Sequence, residues 1–151
     1  MLLLTNKQRT VKVNVKQLKI DAQRLLEALE YPDYDLGIQL VGLSVMHKYN
    51  KKYRMADKPT DVLSFPFHPN LRAGERIKAE NEEEQSLGDI ILCPEYIKDD
   101  LERWEMEFDE RMRVLLVHGV CHLLGYDHIQ DIDYRIMHKK EKELLKIITT
   151  R

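Results

Sequence analysis

Three histidines within LLVHGVCHLLGYDH, residues 115–128, have the spacing of a metal site. His118 and His122 are four residues apart, so on a helix they lie on one face, one turn apart. Gly125 is the residue type that ends a helix in a left-handed conformation, and beyond it the chain can turn to bring His128 back to the pair. The spacing therefore predicts that the three imidazoles bind one divalent metal ion.

Three imidazole ligands leave the fourth position of a tetrahedral zinc ion open, as in catalytic rather than structural zinc sites. Such an ion lowers the pKa of bound water to about 7 and acts as a Lewis acid on an anionic oxygen. We therefore expect hydrolytic chemistry with one zinc ion per chain, although three imidazoles also bind nickel or copper. Cys93 or Cys121 as a fourth ligand would instead close the site, but Cys121 lies about 100° round the helix from His122.

The same spacing occurs in the metzincin proteases, H-E-x-x-H-x-x-G-x-x-H, where the glutamate is the general base. In this chain the glutamate position is occupied by Gly119, and Glu110 lies more than two helical turns from His118. A metallopeptidase is therefore the least favoured of the functions that the histidines allow.

The elements that must position these residues are predicted from the periodicity of the apolar residues. Four short strands are expected, VKVNV (11–15), LGIQLVGL (36–43), DVLSFPF (61–67) and LGDIILC (87–93). Pro66 predicts that the third strand lies at a sheet edge or a bulge, because proline cannot donate a ladder hydrogen bond. Strands and helices interleave, but four short strands fit a small mixed sheet better than a doubly wound one. We therefore expect an α+β fold, a small mixed four-stranded sheet packed with helices, whose central helix carries His118 and His122.

Four main helices are expected, at 17–30, 45–53, 109–125 and 132–148. The first should bury four leucines, Leu18, Leu25, Leu26 and Leu29. Ser44 and Asp109 are the predicted N-caps of the second and third helices, and Pro94 is expected in the first turn of a further helix. Residues 68–86 form one long polar loop, and loops of this length are usually functional or mobile.

Composition excludes several classes of protein. A chain of 151 residues predicts one domain, spanning 1–151. The formal charge of −2 provides no global positive field, so any contact with nucleic acid must be local. Because a membrane span needs roughly 18 to 20 consecutive apolar residues, and no such run is present, we expect no membrane association.

Three blocks of the sequence together resemble the YbeY endoribonuclease family. The segment HGVCHLLGYDH resembles the signature H-G-x-x-H-L-x-G-Y-D-H at every fixed position. The segments YRMADKPTDVLSFPF at 53–67 and LGDIILC at 87–93 resemble two further signatures of that family. The blocks cover most of residues 45–130, in the family's order and separation.

This resemblance implies a metal-dependent hydrolase of single-stranded RNA that acts in ribosomal RNA processing, at the 3′ end of the small-subunit RNA, and in ribosome quality control. It implies His118, His122 and His128 as zinc ligands, Arg54 as a functionally important arginine, and RNA and the small ribosomal subunit as partners. A guanidinium can neutralise phosphoryl oxygens bidentately, which suits Arg54 to a catalytic role. Three lysines could guide the RNA backbone or simply be solvated, Lys51, Lys52 and Lys58.

Two questions stay open at the level of the sequence. A non-hydrolytic ribosome-assembly factor with a structural zinc ion remains an alternative to the enzyme. The compartment is also open, because the first twenty residues are basic and the loop at 68–86 is similar to that of eukaryotic, organelle-associated members. Since the basic stretch merges into a strand and helix pattern, we expect a cytoplasmic protein, with a mitochondrial one as the alternative.

Overall fold

One mixed sheet of four strands forms the centre of the fold. A computed structural model, which describes residues 1–149, gives the strands as β1 (Leu2–Asn6), β2 (Asp35–Leu40), β3 (Val62–Pro66) and β4 (Ser86–Leu92). In the sheet order β1-β2-β4-β3, the first three neighbours run parallel and β3 is antiparallel to β4. The predicted α+β class and mixed sheet are confirmed, and Pro66 lies on the edge strand, as expected for a residue without an N–H donor.

The prediction of a strand at 11–15 is wrong, since the first strand is β1. The Gln8 side chain accepts from the N–H of Val11 at 3.0 Å and donates to its carbonyl oxygen at 2.8 Å. These local bonds satisfy backbone groups that a sheet ladder would need. Asn14 then caps the first helix by accepting from the N–H of Gln17 at 3.1 Å. Val11 is buried and Val13 packs against the core from this connecting segment, whereas Val15 is already the first residue of the first helix.

Within residues 1–149, five α-helices accompany the sheet: α1 (Val15–Ala28), α2 (Leu43–Arg54), α3 (Pro94–Asp99), α4 (Phe108–Leu123) and α5 (Asp131–Thr149). The four predicted leucines of the first helical segment are buried, and Pro94 lies in the first turn of α3. Both predicted N-caps are wrong, because the caps are Gly42 and Glu107. Ser44 and Asp109 lie inside the first turns, because the apolar residues ahead of them pack against the core and enter the helix.

Helix α4 is central, as predicted, because it packs against both the sheet and α5. It contacts β3 and β4 on one side and α5 on the other. Most of its residues are therefore buried, including Leu115, Leu116, Val117, Val120 and Leu123. Helix α2 belongs to a smaller apolar cluster, in which its Met46 packs with Leu63 and Ile91. Within residues 1–149, no helix is both long and apolar enough to cross a bilayer.

Candidate metal centre and its cleft

The end of α4 positions two of the histidines. The N–H of Tyr126 donates to the Cys121 carbonyl and that of Gly125 to the His122 carbonyl, both at 3.1 Å, which is the Schellman pattern. Gly125 has φ +92°, and a Cβ there would collide with the carbonyl oxygen of Leu71. Glycine is therefore required both by the backbone conformation and by the close approach of a second segment. The helix ends where the sequence predicted, and the chain turns back after it.

The structure brings all three predicted histidines together. One ring nitrogen from each of His118, His122 and His128 lies within 4.8 Å of the others. The Nε2 atoms of His118 and His122 are 3.0 Å apart. Ligand nitrogens of a tetrahedral zinc ion, at 2.0–2.1 Å from the metal, are about 3.3 Å from each other. The spacing of these nitrogens therefore fits a metal of zinc's size with little movement.

The hydrogen bonds of the two helical histidines leave their Nε2 atoms without hydrogen. His118 Nδ1 lies 2.9 Å from Glu141 Oε2, and His122 Nδ1 lies 2.9 Å from the Tyr126 carbonyl oxygen. A carboxylate and a carbonyl can only accept, so in the neutral rings each Nδ1 carries the proton and donates it. The two Nε2 lone pairs then face each other, and a cation bound between them would accept both lone pairs.

Burial favours the neutral form of His122. Burial and the neighbouring His118 lower the pKa of His122 to about 4, although its bond to the Tyr126 carbonyl acts in the opposite direction. Near pH 7 this ring is therefore unprotonated, as a metal ligand must be.

Glu141 is the residue of this centre that the sequence analysis missed. It lies on α5, and 18% of its side chain is exposed. Its partner His118 is 23 residues away in the chain, and the acidic and basic residues around Glu141 give no signal that distinguishes it from Glu143. Only the packing of α5 against α4 brings its carboxylate to the imidazole.

Neither cysteine completes the centre. Among residues 1–149 the cluster of possible metal ligands consists of the three histidines alone. Cys93 and Cys121 are buried free thiols, and burial raises the pKa of both, that of Cys121 to about 12. Because neither sulfur belongs to the cluster, the structure does not support a structural zinc ion closed by a cysteine. Asp127 accepts from the N–H of Ile129 at 3.3 Å and caps the turn.

Gly119 faces the sheet, where even a Cβ would be tightly packed. A Cβ at this position would lie 3.1 Å from Ile90 Cδ1 and 3.3 Å from Ser64 Oγ. The glycine lets α4 pack closely against β3 and β4, and Ser64 Oγ also donates to the Gly119 carbonyl at 3.3 Å. The metzincin general base is thus missing for a structural reason, which further disfavours a peptidase.

The three histidines open into a cleft of about 890 Å³, and Arg54 lines the same cleft. Arg54 is the last residue of α2, and its Nη2 donates to the Ser64 carbonyl at 2.7 Å. Its Nη1 donates to the Tyr53 carbonyl at 3.2 Å, and the guanidinium lies 5.0 Å from the centre of the Phe65 ring. A guanidinium has five N–H donors, so others remain for a ligand.

One half of the long polar loop contributes to the cleft and the other half does not. Residues 69–73 line the cleft, and the backbone of Leu71 in this segment packs against Gly125. The acidic run at 80–85 is absent from the described residues that line the cleft. Its backbone is held by His68, whose Nε2 donates to the Glu84 carbonyl at 2.8 Å.

Comparisons with known proteins agree with this geometry. The family model described as Endoribonuclease YbeY matches residues 3–149. A human protein named Endoribonuclease YbeY is 35% identical over 144 residues, covering 95% of this chain and 86% of that protein. A protein of the same name from Thermoanaerobacter sp. is 34% identical over 148 residues, with coverages of 88% and 93%.

A solved structure shares the fold. The solution structure of a Thermotoga maritima protein superposes with a TM-score of 0.64 at 23% identity, over 98% of this chain and 89% of that one. The family match over nearly the whole described chain, together with these relatives, shows that the chain belongs to the YbeY endoribonuclease family.

Proposed function

We propose that this chain is a metal-dependent endoribonuclease that cuts single-stranded RNA in the cleft between α2 and the end of α4. One observation carries the proposal: three imidazoles with converging nitrogens and the guanidinium of Arg54 line a single open cleft. The names of the relatives support the nuclease reaction, and the donor set supports the metal.

Each residue has a distinct role in this proposal. His118, His122 and His128 would hold the ion, which we propose to be zinc, and Glu141 keeps the Nδ1 proton of His118 in place. A divalent ion held there supplies a Lewis acid to the phosphodiester. Arg54 donates hydrogen bonds to the phosphoryl oxygens and neutralises the charge that develops on them in the transition state.

The RNA that we propose as the natural substrate is that of the small ribosomal subunit, cut during 3′ maturation. The resemblance of the sequence blocks to the family supports this choice. In cells that lack the chain, small-subunit RNA should accumulate with an extended 3′ end, which mapping of RNA ends would detect. Normal 3′ ends would contradict small-subunit RNA as the natural substrate. The nuclease activity itself is tested separately, by cleavage of purified RNA.

Cleavage of a matched pair of RNAs tests the enzymatic proposal. The purified chain, with its metal content measured, is incubated with one RNA as a single strand and as a duplex with its complement. We expect internal cuts in the single strand and few in the duplex. No cleavage by a preparation that contains metal and is fully folded would contradict the proposal.

A further inference from the structure

The C-terminal half of α2 is a cationic surface. Residues 47–54, HKYNKKYR, contain no acidic residue, and the side chains of Lys51, Lys52 and Arg54 are exposed. Asp57 binds His47 Nε2 at 2.7 Å and lies 3.8 Å from Lys51 Nζ. Asp57 therefore offsets charge at His47 and Lys51, while Lys52 and Arg54 leave the surface next to the cleft positively charged.

Aromatic rings join these cations into a continuous series that leads away from the cleft. The Arg54 guanidinium lies 5.0 Å from the Phe65 ring centre, and the Phe65 and Tyr53 rings are edge to face at 5.3 Å. The Tyr53 and Tyr49 rings stack at 6.0 Å, and Lys52 Nζ lies 5.1 Å from the Tyr53 ring centre. We call these five residues the α2 ladder.

Core packing does not account for the whole ladder. Tyr49 and Phe65 are partly buried against the apolar cluster that contains Met46 and Leu63. Tyr53, in contrast, is 46% exposed and packs only beside them. An exposed aromatic ring between two cations is the pattern of surfaces that bind single-stranded nucleic acid through stacking and charge.

Charges of both signs line the cleft: Arg72 is an exposed cation of the 69–73 segment, and Asp61, just ahead of β3, pairs with Arg111 at 3.6 Å. Arg54 belongs to both the cleft lining and the ladder, so the ladder is continuous with the candidate metal centre. Asp127 and Asp133 line the cleft near the start of α5. Carboxylates repel phosphate, and the cations of α2 attract it. Because the cations of the α2 ladder lie beside aromatic rings, one of them exposed, we expect an RNA strand whose phosphate reaches the histidines to leave the cleft along α2.

We propose that the α2 ladder is a binding subsite for the single-stranded RNA that flanks the cut phosphate, with one base stacked on Tyr53 and the backbone beside Lys52 and Arg54. This inference rests on the proposed function and specifies where its substrate lies. Because every base has a π face, the subsite accepts different sequences, and because a duplex hides its base faces, it requires a single strand.

Binding of 2′-O-methyl oligonucleotides of eight to twelve nucleotides, checked for intactness after each titration, tests the inference. The metal-loaded wild type is compared with Tyr53→Ala, Tyr53→Phe and Tyr53→Leu. The matched control is Tyr134→Ala, since Tyr134 is an exposed tyrosine that stacks on His138, away from the ladder. We expect Tyr53→Ala and Tyr53→Leu to weaken binding about tenfold, as loss of one base–aromatic stack does. Tyr53→Phe keeps the ring and should bind as tightly as the wild type.

Three further readouts separate stacking from a general loss of structure. A set of oligonucleotides carries one abasic position each, moved stepwise along the strand. At one position, loss of the base should weaken binding to the wild type but not to Tyr53→Ala. Lys52→Gln should reduce the salt dependence of binding by about one phosphate, a slope change of about 0.7 for single strands. With cleavable RNA, Tyr53→Ala should raise the RNA concentration for half-maximal rate by more than it lowers the maximal rate.

Equal affinity of the wild type and Tyr53→Ala, with cleavage intact, would overturn the inference and leave the proposed function standing. Binding without any cleavage would remove the proposed function, while the Tyr53 variants still decide the inference. Absence of binding by the wild type to every single strand would overturn the inference as well.

Discussion

The end of α4 and the end of α2 flank the same cleft but are built in different ways. At α4, hydrogen bonds fix the rings of His118 and His122, and only 27% of the His118 side chain and 18% of the Glu141 side chain are exposed. At α2, the contacts are between rings and cations, and Tyr53 is 46% exposed. A site that holds an ion needs its donor atoms in place beforehand, whereas a surface for a flexible strand can rely on several weak, independent contacts. Loss of a metal ligand at α4 should therefore act nearly all or none, whereas changes to the residues around the ligands and at α2 should be graded.

The largest effect is expected for His122→Ala. Two imidazoles rarely retain an ion that three were arranged to hold, so metal affinity should fall by more than about a hundredfold and cleavage with it. Metal analysis after gel filtration measures the loss. The control is His138→Ala, whose ring stacks on Tyr134 outside the histidine cluster and should leave metal content unchanged. Full metal content in His122→Ala would show that the ion is bound elsewhere.

Gly125→Ala should be the next most damaging change. A side chain at φ +92° is strained, and its Cβ would also meet the Leu71 carbonyl, so unfolding free energy should drop by about 2 kcal/mol and metal affinity should fall. Gly74→Ala is a matched control, because Gly74 has φ +87° but open space around it. Denaturant unfolding and metal titration compare the two variants. Equal losses in both would mean that only backbone strain matters and that the approach of Leu71 does not.

Glu141→Gln should weaken metal binding without unfolding the protein. The amide keeps the size of the carboxylate but loses its charge, so His118 becomes a less basic ligand, and metal affinity should fall about tenfold. Competition with a metal-binding dye measures this. The control is Glu143→Gln, which removes only a surface contact with Lys140 at 3.4 Å. If both variants bind metal as the wild type does, Glu141 has no positioning role.

Arg54→Lys should have the smallest effect of the four and should act on rate. Lysine keeps the charge but not the paired N–H donors, so the single-turnover rate at saturating RNA should fall severalfold, by less than about tenfold, while RNA affinity changes little. Metal content should stay at the wild-type level, because Arg54 contacts none of the histidines. An unchanged rate would remove the catalytic role of Arg54 and make it one more backbone contact of the α2 ladder.

The sequence was sufficient where local geometry decides the structure. The positions of His118, His122 and Gly125 follow from the repeat of a helix and the conformation that ends it, and the structure has both features. The arrangement of strands as one mixed sheet also followed from the alternation of apolar segments.

The sequence was insufficient where distant segments meet. The valines at 11–15 alternate as in a strand, but the Gln8 side chain binds the backbone of Val11. The strand that pairs with β2 is β1 instead. Glu141 reaches His118 only because α5 packs on α4, and Tyr53 reaches Phe65 only because α2 lies beside β3. These contacts depend on how elements pack, which no periodicity within one segment specifies.

Removal and return of the metal tests most directly the claim that the three histidines hold one catalytic ion. Metal per chain and cleavage of single-stranded RNA are measured on one preparation of the folded wild type before chelation, after it, and after stepwise addition of zinc. Cleavage should disappear with the metal and return in proportion to it, reaching its full rate at about one ion per chain, and His122→Ala should recover nothing. Undiminished cleavage by the folded, metal-free chain would contradict the claim.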